Sequence, residues 1–189
     1  MMRQGQNKKS RLQDAAKDVI HERGYERTRI TDIAERAGVD AGSVYYYFKT
    51  KESFGTAVID SLAKHYSALL EQAGLQPGPR KRINAFIQMV MDKRVLLAQH
   101  GCPVGGLCSE LRKTAETVDL AQRASEVFRE ILDWLERQLR ELGKAKDARI
   151  LAEHVLCVLQ GAALLAHSFD NPRHLQTQGR RLQRLILNL

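Results

Sequence analysis

The sequence predicts an all-α protein of about nine helices, with a small three-helix unit at the N-terminus and a larger helical region behind it. Apolar residues recur every three or four positions along almost the whole chain, which is the period of an amphipathic helix. Charged residues make up 28% of the 189 residues and aromatic residues only 6%, which suits a helix-rich protein better than a β-sandwich. One linker, AGLQPGP at residues 73–79, interrupts the pattern with glycine and proline.

Three short amphipathic segments precede residue 50. The first, SRLQDAAKDVIHERG, ends at Gly24, and the second, ITDIAERAG, ends at Gly38. The third, AGSVYYYFK, places Val44 and Phe48 four residues apart on its inner face. These segments predict a compact N-terminal domain over residues 1–52.

A larger helical domain is expected over residues 53–189. Thr50 is a natural N-cap for a long helix that begins at Lys51. Ser53 stands where an acid would complete a capping box, so we expect this box to be weakened. Glycine and proline mark the later helix ends. The predicted helices of this region cover residues 51–72, 81–100, 103–113, 117–142, 147–168 and 173–189.

Composition narrows the class of protein. The net charge is +8, with basic runs at both ends of the chain, so a polyanion is a plausible partner, although a solvated basic surface is the alternative. No apolar run approaches a membrane span and the N-terminus lacks the apolar segment of a signal peptide, so no membrane partner is expected. Three cysteines are too few for a disulfide framework, which favours a reducing, cytoplasmic setting.

The second and third predicted helices are joined by GVDA, a short turn that contains glycine. This arrangement is typical of the helix-turn-helix, whose second helix enters the major groove of DNA and presents its first residues to base edges. The third helix begins with Ala41, Gly42 and Ser43, and such small residues permit close approach to DNA.

Three consecutive tyrosines follow on the same short helix. Neighbours on a helix point about 100° apart, so Tyr45, Tyr46 and Tyr47 cannot share one buried stripe. A tyrosine can bury its ring against sugar while its hydroxyl donates to a phosphate. Packing of Tyr47 against the fourth helix is the alternative for that residue. Lys51 and Arg29 are cations at helix starts, where the helix dipole opposes a positive charge. Their placement makes sense if an anion such as phosphate binds there, although solvated lysine and arginine side chains at helix starts are the alternative.

Residues 28–54, TRITDIAERAGVDAGSVYYYFKTKESF, resemble the DNA-binding signature of the TetR family of bacterial transcriptional regulators. The resemblance implies base or sugar contacts from Ala41, Gly42, Ser43 and Tyr45, and phosphate contacts from Tyr46, Tyr47 and Lys51. Arg29 departs from the usual serine or threonine and is a further candidate for phosphate contact. No enzyme activity, metal or cofactor is expected.

The resemblance also implies that the protein is a homodimer, that it binds a palindromic double-stranded DNA operator, and that it acts as a repressor. The last two helices would pack against their counterparts in a second copy, although an ordinary core helix gives the same periodicity. The expected interface residues are Leu151, Val155, Val158, Leu159, Ala162, Leu165, Leu182, Leu185 and Ile186.

The resemblance further implies that a small-molecule effector binds in the C-terminal domain. Its binding would shift the protein toward a conformation that binds the operator less tightly. Polar or soft residues on apolar faces are the candidates: Tyr66, Met89, Cys108, Trp134, His154 and Cys157.

Two alternative functions stay open. Cys102 or Cys108 could make the protein a thiol sensor, since a helix N-terminus lowers the pKa of a thiol. A cysteine-dependent enzyme is the more distant one, because no nucleophile elbow or phosphate loop is present.

Overall fold

The computed structural model describes residues 2–189, and side chains from residue 8 onward. Within these residues the chain forms ten α-helices and one short 3₁₀ turn, with no strand, which confirms the all-α prediction. The helices are α1 Met2–Arg23, α2 Ile30–Ala37, α3 Ala41–Tyr47, α4 Lys51–Gly74, α5 Pro79–Asp92, α6 Arg94–His100, α7 Pro103–Leu111, α8 Val118–Glu141, α9 Ala148–Ser168 and α10 Arg173–Asn188.

The helices form two compact units. The N-terminal unit extends from α1 to Lys64 and also includes Gly106–Ser125. The C-terminal unit contains His65–Gly105 and Glu126–Leu189. The boundary expected at residue 52 falls inside the N-terminal unit, because α4 continues past it and a later stretch of chain returns to pack there.

The core of the N-terminal unit positions α3. Gly38 takes a left-handed conformation, with φ 62° and ψ 43°, and so turns the chain out of α2. Arg11 of α1 donates a 2.5 Å hydrogen bond to the carbonyl of Ala37 at the same helix end. Val44 is fully buried, and the ring of Phe48 meets that of Phe54 edge-on at 5.5 Å. These contacts hold one face of α3 inward, as predicted.

The start of α4 is better capped than its sequence suggests. The main-chain N–H of Ser53 donates to Thr50 Oγ1 at 3.0 Å, and the main-chain N–H of Thr50 donates to Ser53 Oγ at 3.2 Å. A serine hydroxyl therefore takes the role that Glu or Gln has in the usual capping box. The expected weakening of this cap by Ser53 is wrong.

The stretch predicted as one helix over residues 81–100 is two helices, α5 and α6, that meet at Lys93. Neither proline nor glycine stands there. In the C-terminal unit α5 packs on α10, whereas α6 packs on α9, where His167 Nδ1 lies 3.0 Å from the carbonyl of Ala98. Packing on two different helices, a tertiary effect, explains the break.

Helix α9 is long and strongly apolar. An 18-residue window of it has a mean hydropathy of 1.5, so by length and composition alone it could cross a membrane, contrary to the expectation from the sequence. A core helix of a soluble protein passes the same test. Here Ala152, Val155 and Leu159 are buried among the other helices of the C-terminal unit, and the opposite face of α9 is exposed.

Candidate functional site

The exposed face of α3 carries aromatic side chains. Tyr45 is 56% exposed and Tyr46 is 79% exposed, although both directly follow the buried anchor Val44 along the helix. Tyr47 is half-buried, and its ring meets that of Tyr46 edge-on at 5.1 Å. A phenol that solvent reaches so freely gains nothing from the core, so the rings of Tyr45 and Tyr46 are available for a partner.

The first turn of α3 is ordered by a polar cluster that we name the Ser43 cluster: Lys8, Asp40 and Ser43. Asp40 is the N-cap and accepts a 2.9 Å hydrogen bond from the main-chain N–H of Ser43. The Ser43 hydroxyl donates to Asp40 Oδ2 at 2.7 Å and accepts from the ammonium of Lys8 at 3.0 Å. The hydrogen bonds from Ser43, with a smaller contribution from the Lys8 charge, lower the pKa of the Asp40 carboxyl.

Sequence reasoning placed Lys8 only within a basic run, and did not connect it with α3. The link crosses 35 residues and depends on how α1 packs, which periodicity does not reveal. Elsewhere in that run Lys9 is exposed, while the side chain of Arg3 lies outside the described residues.

Lys51, at the start of α4, is engaged within the protein. Its ammonium donates to the carbonyl of Glu26 at 3.0 Å and to Glu26 Oε2 at 3.2 Å, and it lies 4.8 Å from the centre of the Tyr25 ring. Burial, and then the charges of Glu26 and Glu52, raise the pKa of Tyr25 to about 12. The exposed pair of Lys51 and Glu26 contributes little to stability, so the lysine remains free to exchange partners.

The remaining predicted contacts lie on the same motif. Arg29 precedes α2 and its side chain is exposed, while its main-chain N–H donates to Asp32 Oδ2 at 2.9 Å. Gly42 is exposed and Ala41 is half-buried in the first turn of α3. A Cβ on Gly42 would lie 3.1 Å from Asp40 Oδ1, so glycine gives this cap room.

In the C-terminal unit, one effector candidate lies in a half-buried polar cluster, which we name the Cys102 cluster: Tyr66, Cys102 and Gln160. Tyr66 of α4 and Gln160 of α9 both hydrogen-bond the thiol of Cys102. The sulfur also accepts a 3.4 Å hydrogen bond from the main-chain N–H of Gly105, and so caps α7. Burial raises the pKa values of both Tyr66 and Cys102, so both side chains stay neutral at neutral pH.

The other effector candidates are dispersed. Trp134 is buried and packs on Phe86 with ring centres 5.9 Å apart, which makes it a core residue of the C-terminal unit. His154 and Cys157 are exposed on the outer face of α9, and neither belongs to the Cys102 cluster. Met89 and Cys108 are half-buried. Gln160 and Cys102 were absent from the candidate set because only the tertiary structure brings them to Tyr66.

The thiol-sensor argument is corrected for Cys102. The sequence suggested a thiol whose pKa is lowered by a helix N-terminus. Hydrogen bonds from Gly105, Val104, Gln160 and Tyr66 do favour the thiolate, but burial is the larger effect and raises the pKa. A thiol kept protonated is a poor nucleophile, whereas the structural alternative, a capping cysteine, is what the geometry shows.

The expected dimer residues divide into two groups. Five lie in the core of the chain itself and offer no surface to a second copy, which corrects the expectation for Val155, Leu159, Ala162, Leu182 and Ile186. Leu151 and Val158 are half-buried, and Leu165 and Leu185 are exposed. Further large apolar side chains are exposed at the surface of α9, of α10 and of the loop between them: Ile150, Leu164, Phe169 and Leu187.

Two short helices joined by a left-handed glycine turn, the second anchored inward and exposing tyrosines, form a helix-turn-helix of a DNA-binding regulator. Comparison with known proteins agrees. Residues 12–58 match the family described as bacterial regulatory proteins, tetR family, and residues 79–181 match the C-terminal domain of LmrA/YxaF-like transcriptional regulators. The protein belongs to the TetR family of transcriptional regulators, with a DNA-binding N-terminal domain and a ligand-binding C-terminal domain.

Individual relatives are regulators too. The chain is 30% identical over 162 residues to transcriptional regulator AcuR of Cereibacter sphaeroides, covering 78% of this chain and 70% of the relative. It is 32% identical over 106 residues to the transcriptional repressor NemR of Escherichia coli K12, covering 53% and 49%. A TetR regulatory protein from Rhodobacter sphaeroides shares the fold with a TM-score of 0.81 and 27% identity, covering 93% of this chain and 96% of that one.

Proposed function

We propose that the protein is a homodimeric transcriptional repressor that binds a palindromic operator through α3 and is released by a small-molecule effector. The exposure of Tyr45 and Tyr46 beside a fully buried Val44 carries the proposal. Val44 and Phe48 attach α3 to its own domain, while the exposed rings of Tyr45 and Tyr46 lie outside that core, where the major groove would meet them.

Roles divide along the motif. Ala41, Gly42, Ser43 and Tyr45 meet base edges or sugar, because they occupy the first turn and the exposed face of α3. Tyr46, Tyr47 and Lys51 contact phosphates and fix the register. Lys51 leaves Glu26 for a phosphate, an exchange that costs little since the pair is exposed. Arg29 is exposed and adds a further phosphate contact.

The test is binding to a duplex from upstream of the protein's own gene, measured by fluorescence anisotropy over a range of salt concentrations. We expect Tyr46→Ala and Lys51→Ala each to weaken binding by about 1.5–3 kcal/mol, since each removes a hydrogen bond to a charged phosphate. Lys113→Ala, an exposed lysine of the same unit but outside the motif, is the matched control and should leave affinity nearly unchanged. If the double variant Tyr46→Ala/Lys51→Ala binds like the wild type, this function is wrong.

Dimerisation through α9 and α10 is supported by their exposed apolar side chains. Gly161 lies in the middle of the exposed face of α9 with open space around it, and Leu164 and Leu165 follow one turn later. A second copy would cover this surface and would set two recognition helices about 34 Å apart, one turn of DNA. In sedimentation experiments Leu164→Arg/Leu165→Arg should give monomers. Leu75→Arg, which alters an even more exposed leucine after α4, should stay dimeric.

We further propose that the effector binds at the Cys102 cluster and is uncharged. Tyr66, Cys102 and Gln160 supply hydrogen-bonding groups without a net charge to pair with a carboxylate or an amine. In a screen of neutral compounds for operator release, Tyr66→Phe and Gln160→Leu should lower the sensitivity to an active compound while leaving DNA binding intact. Equal sensitivity in both variants and the wild type would place the effector site elsewhere. A cytoplasmic location accompanies this function.

A further inference from the structure

The Ser43 cluster has a defined hydrogen-bonding polarity. A serine hydroxyl has one proton and two lone pairs. The proton of Ser43 is directed to Asp40 Oδ2 at 2.7 Å, and one lone pair is occupied by the ammonium of Lys8 at 3.0 Å. One lone pair is left, so toward a third partner Ser43 is an acceptor.

Asp40 reinforces this polarity. Its side chain is exposed and ionised, and a carboxylate offers acceptor sites alone. Asp40 Oδ1 accepts a hydrogen bond from the main-chain N–H of Ser43, and Oδ2 accepts one from the Ser43 hydroxyl, so both oxygens are held beside Ser43. The two side chains at the start of the recognition helix therefore present acceptors and no free donor.

Base pairs in the major groove differ in which strand carries the amino group. Adenine presents N6–H₂ and cytosine N4–H₂, whereas guanine and thymine present acceptors at the corresponding places. We propose that Ser43 and Asp40 select an amino-bearing base, adenine or cytosine, at one position of each operator half-site, and that Lys8 sets this preference. The inference rests on the proposed binding of α3 in the major groove and adds what that helix reads.

Lys8 acts as a positioning residue through Ser43. It lies outside the segment that matches the family, residues 12–58, on the part of α1 that precedes it. Its ammonium holds the hydroxyl in the orientation that donates to Asp40, and its charge offsets the repulsion between Asp40 and nearby phosphates. Without Lys8, the hydroxyl can turn and donate to guanine or thymine.

The experiment is selection from a pool of synthetic duplexes with randomised sequence, followed by affinity measurement on the selected duplex and on its variants at each position. For the wild type we expect one half-site position to hold adenine or cytosine on the contacted strand, favoured over guanine and thymine by roughly five- to thirty-fold. Ser43→Ala should lose that preference and keep the preferences at other positions.

Variants of Lys8 distinguish its positioning of the Ser43 hydroxyl from a general effect of its positive charge on DNA binding. Lys8→Met should relax the preference, whereas Lys8→Arg, which can also donate to the hydroxyl, should keep it. Lys9→Met is the matched control, because it removes the same charge from the exposed neighbour on α1. It should leave the preference intact.

Two results would overturn the inference. One is a wild-type protein whose affinity is unchanged, at every position that depends on Ser43, when the selected adenine or cytosine is replaced by an analogue without the exocyclic amino group. The other is a Lys8→Met variant that keeps the preference while its salt slope falls by about one, because this would make Lys8 a phosphate contact instead. Failure of the wild type to enrich any sequence would count against the proposed function as well, so the two failures can be told apart.

Discussion

The carboxylate of Glu110 on α7 accepts a 2.6 Å hydrogen bond from the main-chain N–H of Tyr25, 85 residues earlier in the chain. Tyr25 is buried, and its hydroxyl donates to the carbonyl of Lys51 at 3.1 Å. A Cβ on Gly24 would lie 2.2 Å from Glu110 Oε1, and Gly24 has a φ of 87°, so this turn requires glycine. Glu110 therefore holds the turn that follows α1 within the N-terminal unit.

Removing this acceptor should destabilise the protein. Glu110→Ala leaves a main-chain N–H without its partner, and we expect a loss of about 1–3 kcal/mol in the free energy of unfolding. Glu110→Gln retains an acceptor oxygen and should lose less. Urea unfolding followed by circular dichroism measures both, with the exposed Glu116→Ala as the control. An Ala variant as stable as that control would mean that water replaces Glu110 at no cost.

Gly55 in α4 should not tolerate alanine. Alanine in a helix interior usually stabilises by about 1 kcal/mol relative to glycine. A Cβ on Gly55, however, would lie 2.8 Å from Cε2 of the Tyr25 ring and 3.1 Å from Leu120 Cδ1, in a packed core. We expect Gly55→Ala to lower the melting temperature and Gly106→Ala, where the new Cβ meets open space, to raise it. A higher melting temperature for Gly55→Ala would contradict this packing.

Stability should fall at alkaline pH, partly because of Tyr25. Its pKa is about 12 in the folded protein and about 10 in an unfolded chain. The folded state holds the phenol proton more tightly, so this contribution to stability is complete below about pH 10 and is lost as the pH rises through about 12. Urea unfolding across this range should show a shallower decline for Tyr25→Phe than for the wild type. Tyr46→Phe, at an exposed ring, is the comparison, and equal slopes in all three proteins would refute the assignment.

The thiols of Cys157 and Cys102 should react at different rates. Cys157 is exposed and should react quickly with a disulfide reagent, whereas Cys102 is held by the Cys102 cluster and should react when the protein unfolds. Cys102→Ala removes the cap of α7 and should cost about 0.5–2 kcal/mol, while Cys102→Ser retains a capping atom. Labelling of the Cys157→Ser variant should lack the fast phase, which would assign that phase to the thiol of Cys157. Rapid native-state labelling of Cys102 would restore the thiol-sensor alternative.

Much of the fold was predictable because helical periodicity and helix-end residues are local signals. The anchors Val44 and Phe48, the turn at Gly38 and the exposed tyrosines of α3 follow from spacing within about twenty residues, and the structure agrees with each. The predicted contacts of individual residues with DNA, effector and second copy stay predictions, because they depend on partners outside the chain.

Sequence alone determined that this protein is all-helical and that residues 28–54 form a helix-turn-helix with an aromatic outer face. Tertiary structure decided that Lys8 reaches Ser43, that Glu110 holds Tyr25, that Cys102 caps α7 and that Val155 and Leu159 belong to the core. The physical reason is the separation along the chain between the residues that interact. Periodicity reports which side of a helix is apolar, whereas the identity of the neighbour on that side depends on how distant segments pack.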